Sequence, residues 1–374
     1  MKVTIIRSRA IDSAVYKVAK TLAQNGYDVK LLVWDRQGNL NGKNGEEYSI
    51  CTFNLKALYD KFTALFYLPI WWIYEFFFLL KDKCDIIHAC DLDTLIPAII
   101  VKLVKRVKLC YTIYDFYANN LPDGRPYLIR KAIRRLVAAI EKIGIGFTEA
   151  LFLVDESRYE EVRGARINKL VYIYNSPPEC FYTHQRRNSS AEEEIIMFYA
   201  GLIHKSRGLE YMIKAVEDMD NVRLIIAGTG PDKNLLENLP VDVRKKIQYI
   251  GWIPYEEVIK KTLEADILFA FYDPKIPNNR YASPNKLFEA MMCGKPIIVN
   301  DGTSMSNIVR KEDCGLVAPY GDIDAIKEII LRLKNDPSLR QRLGGNGRKA
   351  YEEKYSWTIM ERKLLDLYDG LLKV

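Results

Sequence analysis

Twice along this chain, short β-branched runs alternate with stretches of helical period, and a proline pair separates the two series. Val3-Thr-Ile-Ile6 opens the first series as a strand, and Val15, Val18, Ala19, Leu22 and Ala23 follow at helical spacing. Gly26 stops that helix and Val29–Trp34 reads as the next strand. Strand, helix and strand make a βαβ unit, hence a parallel sheet with right-handed crossovers. Asp85–His88, Val107–Ile113, Ala150–Val154 and Leu170–Tyr174 continue the series, with helices between them. Pro177-Pro178 ends it, and the polar stretch 179–194 has the composition of a linker. The alternation restarts with strands at Ile195–Ala200, Val222–Ala227, Ile247–Ile250, Ile267–Ala270 and Ile297–Val299. Helices are expected near 209–216, 255–264, 285–293 and 322–334.

A length of 374 residues exceeds one ordinary core and suits two Rossmann-like halves, 1–178 and 195–354, facing each other across a cleft. The net charge of +7 allows anionic partners without selecting one, and no compact basic motif of a nucleic-acid module is present. Seven cysteines without a CxxC pair read as reduced thiols, neither disulfides nor a zinc site. The chain opens on a strand with no apolar leader behind it, so a cytoplasmic location is expected.

Four motifs of the second half occur in a telling order. They are Tyr199-Ala-Gly-Leu-Ile-His-Lys-Ser-Arg-Gly208, Ala227-Gly-Thr-Gly-Pro231, Tyr249-Ile-Gly-Trp-Ile-Pro254 and Ser283-Pro-Asn-Lys-Leu-Phe-Glu-Ala-Met-Met-Cys-Gly294. This succession resembles the donor domain of glycosyltransferase family 4, in a variant with Ser-Pro-Asn-Lys before the donor-site glutamate. The resemblance implies the GT-B fold, retaining transfer from a nucleotide diphosphate sugar, and no cofactor or metal. It implies that Gly201, Gly228 and Gly230 let backbone approach the diphosphate, that Arg207, Lys205 and Lys286 face its phosphates, and that Glu289 accepts the ribose hydroxyls. Gly251, Trp252 and Ile253 would line the base pocket, with core packing an equal alternative for Trp252. Ser283 is expected to cap a helix whose first turn holds Pro284 and whose N–H groups at Asn285 and Lys286 face the distal phosphate. Residues 355–374 resemble the family's closing helix, which packs back on the N-terminal domain. The chain departs from the family at Leu202, at Tyr281, and at Arg7-Ser-Arg-Ala10, where a Gly-Gly loop usually stands.

The first half would receive the acceptor, a glycan or a lipid-linked one. Asp115, in Thr112-Ile-Tyr-Asp-Phe-Tyr117, is the candidate catalytic residue there, with helix capping as the alternative. Arg7 and Arg9 would reach phosphate or acceptor, or remain solvated loop charges. Asp91-Leu-Asp93 imitates a metal motif of other glycosyltransferases and is rejected as one, and His88 reads as a structural strand-end residue. Phe62–Leu80 carries one charge and reads as a buried helix pair or an aromatic membrane-surface element, with a transmembrane helix disfavoured by Pro69 and Glu75. On the helix of Arg125–Lys142, Ile129, Ile133, Leu136, Val137 and Ile140 share a face opposite Arg130, Lys131, Arg134 and Arg135. That pattern suits an ordinary surface helix or an anionic lipid surface, so a peripheral enzyme at the inner face of the cell membrane is expected. The rival functions are a catalytically silent GT-B scaffold, separated by nucleotide binding without transfer, and a nucleotide-sugar epimerase, separated by donor turnover without acceptor.

Overall fold

In the computed structural model, which describes residues 1–10, 13–36, 38, 47–57, 63–120, 127–179, 190 and 193–372, each series forms its own parallel sheet. The first contains β1 (Lys2–Arg7), β2 (Asp28–Trp34), β3 (Ser49–Phe53), β4 (Ile86–Cys90), β5 (Lys108–Ile113), β6 (Ala150–Leu153) and β7 (Leu170–Tyr172). Their order is β3-β2-β1-β4-β5-β6-β7, and Val3 pairs with Val29 on one side and Ile86 on the other. Strand order therefore reverses between β1 and β4, the switch point where ligands of open α/β sheets gather. Helix α1 (Ser13–Gln24) returns the chain to β2. Helices α2 (Thr63–Lys81), α3 (Leu92–Lys105) and α4 (Tyr127–Ile145) run in the other direction and form one layer on the opposite face, α2 against α3 and α3 against α4. Trp34, Ile87, Tyr111 and Leu153 of the sheet meet Trp71, Leu95 and Ile145 of that layer in one core. The short helix α5 (Tyr159–Val162) follows β6.

The second sheet contains β8 (Ile195–Ala200), β9 (Val222–Ala227), β10 (Ile247–Tyr249), β11 (Ile267–Ala270), β12 (Ile297–Asn300) and β13 (Gly315–Ala318), in the order β10-β9-β8-β11-β12-β13. Its helices are α6 (Leu209–Val216), α7 (Asn234–Glu237), α8 (Val241–Lys246), α9 (Tyr255–Glu264), α10 (Pro277–Arg280), α11 (Asn285–Cys293), α12 (Ser304–Glu312), α13 (Ile323–Asn335) and α14 (Pro337–Ala350). Met197, Leu224, Ile226 and Phe269 form its core with Met212 of α6 and Ile330 of α13. The chain divides into two compact units, Met1–Tyr174 with Glu361–Val374, and Asn175–Met360. The last helix, α15 (Trp357–Leu372), thus starts in the second unit and continues in the first. There Tyr368 sets its hydroxyl 2.6 Å from His88 Nδ1, and its ring edge-on to Tyr27 at 5.7 Å.

Several expectations need correction. Within the apolar run 62–80, the described residues from Thr63 onward form one continuous helix, α2, rather than a pair, with Pro69 in its second turn. Among the described residues no helix is long and apolar enough to cross a membrane. On α4 the buried residues are Glu141, Gly144 and Ile145, while Ile129, Leu136, Ile140 and Ile143 are exposed. The reason lies in what α4 packs on, the polar turn after β5. Glu141 accepts from the Tyr111 hydroxyl at 2.8 Å and the Tyr117 amide at 3.2 Å, and Arg134 donates to Asn119 at 2.6 Å. Arg7 ends β1, fully buried and ion-paired with Asp91, so it is neither a loop residue nor solvated; Arg9 is exposed. His88 is mid-strand, between Tyr368 and Thr112, and burial pulls its pKa down to about 3. Most of the linker, with Cys180 and His184, lies outside the described residues; none of the six described cysteines forms a disulfide, and all but Cys51 are buried.

Candidate functional site

At the carboxyl end of the second sheet, three glycine turns stack on one another. Gly201 follows β8 at φ 154°, and its amide donates to the Ala227 carbonyl at 3.0 Å. Gly228 (φ 130°) lies so close that a Cβ there would sit 1.8 Å from the Gly201 oxygen, and one on Gly230 would sit 2.0 Å from the Ile203 oxygen. The Gly228 amide in turn donates to the Gly251 carbonyl at 2.7 Å. Only residues without a side chain allow backbone to meet backbone this closely.

Two cations converge on this platform. After Gly201 the chain makes a short turn, capped by His204 on the Ser206 amide and closed by Gly208 at φ 60°. That turn carries the Arg207 guanidinium to 3.8 Å above the Tyr272 ring, while Nη1 donates to Asn279 Oδ1 at 2.9 Å. Lys286, in the first turn of α11, is buried and puts Nζ 4.2 Å from the Tyr199 ring centroid, in the space a Cβ on Gly201 would enter. Among the described residues neither cation has a carboxylate within ion-pairing distance. Burial works against the Lys286 ammonium, but Tyr199 and Tyr272, with a smaller contribution from the Glu289 carboxylate, outweigh it, and its pKa is raised. The lysine stays charged.

Helix α11 presents its amino end here. Pro284, not Ser283, stands at the cap position (φ −77°), and no side chain caps the helix. Ser283 fails as a cap because the proline already occupies the bend; its Oγ and Asn285 Oδ1 are both buried without a hydrogen-bond partner. Glu289, buried, follows Lys286 by three positions and Asn285 by four, on the same helix face. Lys205 is exposed, and its amide donates to Asp232 at 2.6 Å. Trp252 is 72% exposed, which excludes core packing, and Ile253 beside it is half-buried. Tyr199, Tyr272 and Asn279 were not singled out from sequence. For Tyr199 a signal existed, since strand alternation puts it on the same side of β8 as Gly201.

Asp115 belongs to the first unit, at the carboxyl end of β5. Its amide and that of Tyr114 donate to Asp91 Oδ1 at 3.2 and 2.7 Å, and its carboxylate lies 3.6 Å from buried Arg158. Asp91, at φ 64°, therefore ties the ends of β1 and β5 together through Arg7 and two amides. Among the described residues no cluster of three His, Cys, Asp or Glu side chains is placed to hold a metal.

Comparison with known proteins gives both units a family. Residues 12–176 match the family described as Glycosyltransferase Family 4, and residues 182–350 match Glycosyl transferases group 1. The chain belongs to glycosyltransferase family 4. An uncharacterized glycosyltransferase of Methanocaldococcus jannaschii is 26% identical over 305 residues, 77% of this chain and 75% of its own. A GDP-mannose-dependent monoacylated alpha-(1-6)-phosphatidylinositol monomannoside mannosyltransferase of Corynebacterium glutamicum is 28% identical over 169 residues, 43% of each chain. Among solved structures, sucrose-phosphate synthase of Thermosynechococcus elongatus superposes with a TM-score of 0.78 at 17% identity, covering 100% of this chain and 99% of that one. Anabaena HepE, solved with UDP and glucose, gives 0.71 at 13% identity, covering 99% of both. The family 4 chain is thus a GT-B glycosyltransferase, built from two parallel-sheet α/β units.

Proposed function

We propose that this transferase moves a sugar, with retention of anomeric configuration and without a metal ion, from a nucleotide diphosphate sugar to a glycan or lipid-linked acceptor presented at a membrane surface. The observation that carries the donor half is the pair of cations without a carboxylate partner, Arg207 and Lys286, beside the uncapped amino end of α11 and the glycine platform. Arg207 and Lys286 bring two positive charges to one place, and a diphosphate supplies the matching negative charge. As the bond from the anomeric carbon to the diphosphate oxygen lengthens, negative charge grows on the leaving group. Arg207, Lys286 and the amides of Asn285 and Lys286 then stabilise it more strongly than in the ground state. Glu289 would accept from the ribose hydroxyls, Lys205 would donate to the outer phosphate, and Gly251-Trp252-Ile253 would line the base. Asp115, held by Arg158 and Asp91, would position the acceptor hydroxyl. HepE with UDP and glucose supports a nucleotide-sugar donor, and the corynebacterial relative's lipid acceptor supports a lipid-linked one.

The test is a thermal-shift screen against UDP, GDP, ADP, TDP and their sugar conjugates, without added metal. One base should raise Tm by several degrees, as expected for about 3 kcal/mol of ligand stabilisation at a hundredfold excess over Kd. Arg207→Ala and Glu289→Ala, each compared with its own ligand-free melt, should lose most of that shift. No response to any nucleotide would sink the donor site.

A further inference from the structure

Helix α4 turns only part of its apolar surface to the core, Ile145 with Val137 and Ala138. Its charged side chains Arg134 and Glu141 face the polar turn of its own unit, and Ile129, Leu136, Ile140 and Ile143 point away from it. The two other helices of the same layer bury apolar residues inward and leave further apolar rows outside. On α2, Phe66, Ile70, Ile73 and Phe77 recur at helical spacing with exposures of 78%, 48%, 59% and 54%. On α3, Leu103 and Val104 are exposed. Most of the large apolar side chains left in solvent among the described residues belong to these three helices. An apolar surface gathered on one layer marks an interface rather than scatter.

Charge selects the occupant. The only acidic residues on α2, α3 and α4 are Glu75, Asp93 and Glu141, and all are buried. What remains at the surface of the layer is cationic. Arg130, Lys131, Arg134 and Arg135 surround a groove of about 360 Å³ floored by Phe116 and Ala118. We propose that the outer face of the α2–α4 layer rests on a lipid bilayer with anionic headgroups, its apolar rows in the headgroup–acyl boundary and the exposed cations Lys131 and Arg135 on lipid phosphates. A second copy offers no counter-charge, because a two-fold interface would set this layer, which exposes no acidic residue, against itself. The proposal rests on the lipid-linked-acceptor reading above for its purpose, and gives that reading a surface.

The experiment is co-sedimentation of the full chain with vesicles of phosphatidylcholine alone and with about a third phosphatidylglycerol. The mixed vesicles should retain the protein and the neutral ones should not. Lys131→Glu with Arg135→Glu should weaken retention by at least about tenfold, and Leu136→Glu with Ile143→Glu should abolish it. All four side chains are exposed, so the variants should melt like the parent and keep its nucleotide response. Failure to bind either vesicle, equal binding to both, or variants that bind like the parent would each overturn the proposal. So would a concentration-dependent dimer broken by Leu136→Glu, or capture by an acidic polypeptide with no vesicle binding. The same samples carry the nucleotide screen. Retention on vesicles without a nucleotide response sinks the donor site alone, and the converse sinks the membrane face alone.

Discussion

A methyl group added at Gly228 would sit 1.8 Å from the Gly201 oxygen, on a backbone at φ 130° that L side chains avoid. Gly228→Ala should therefore cost about 3 kcal/mol of stability, measured by urea unfolding, and should also blunt the nucleotide shift. Each of these glycines was read from sequence as a place for ligand to come close. For Gly228 and Gly230 the close neighbour is the protein's own backbone, a role that becomes visible only when β8 and β9 lie side by side. Glu141 is the other residue with a measurable signature. Burial pushes its carboxyl up to about 8, against an ordinary 4.5. The folded state holds its proton where the unfolded chain has lost it, so stability falls as pH rises from about 4.5 to about 8, by at most about 1.4 kcal/mol per pH unit. Denaturant midpoints across that range should fall less steeply with pH in Glu141→Gln than in the parent. Nothing in the sequence around Glu141 distinguishes it from a solvated helix charge.

Helix α2 shows how an element carries a cost. Glu75 is fully buried at its centre, both carboxyl oxygens lack a hydrogen-bond partner, and burial together with Asp93 pushes its pKa well up. Glu75→Met, similar in volume, should stabilise the first unit by about 1–2 kcal/mol in thermal or urea unfolding. Elements with a strong period were legible: β8, β9, β11, α6, α9 and α11 lie where the pattern placed them. Strands β3 and β13 were not, because β3 is half-buried and mixes Ser, Cys and Thr with Ile and Phe, and β13 opens on a glycine. The wheel of α4 left two readings open, an ordinary surface helix and a lipid-facing one, and gave no sign that Arg134 and Glu141 would bond the turn after β5. Hydrophobic period identifies a stripe, but it cannot say that the wall behind the helix is polar and that the stripe must look outward.

At the scale of the molecule, the first unit is assembled from both ends of the chain. Residues Glu361–Leu372 of α15 cover His88 and Tyr27, and Asn25 donates to Glu361 at 3.1 Å. Deleting residues 361–374 should lower the melting of that unit alone in calorimetry, and the truncated chain should keep its nucleotide shift, since the glycine platform, Arg207 and Lys286 all belong to Asn175–Met360. The same arrangement orders events on the ribosome. Strands β1 to β7 are made before Tyr174, and α15 reaches the first unit only from Glu361 onward. At about 5–20 residues per second, the nascent sheet waits on the order of 10–40 s with His88 and the flank of β4 uncovered. During that interval the entire second unit is synthesised and free to fold, so the unit begun first is finished last, and a chaperone that shields the β4 flank would have its longest opportunity there.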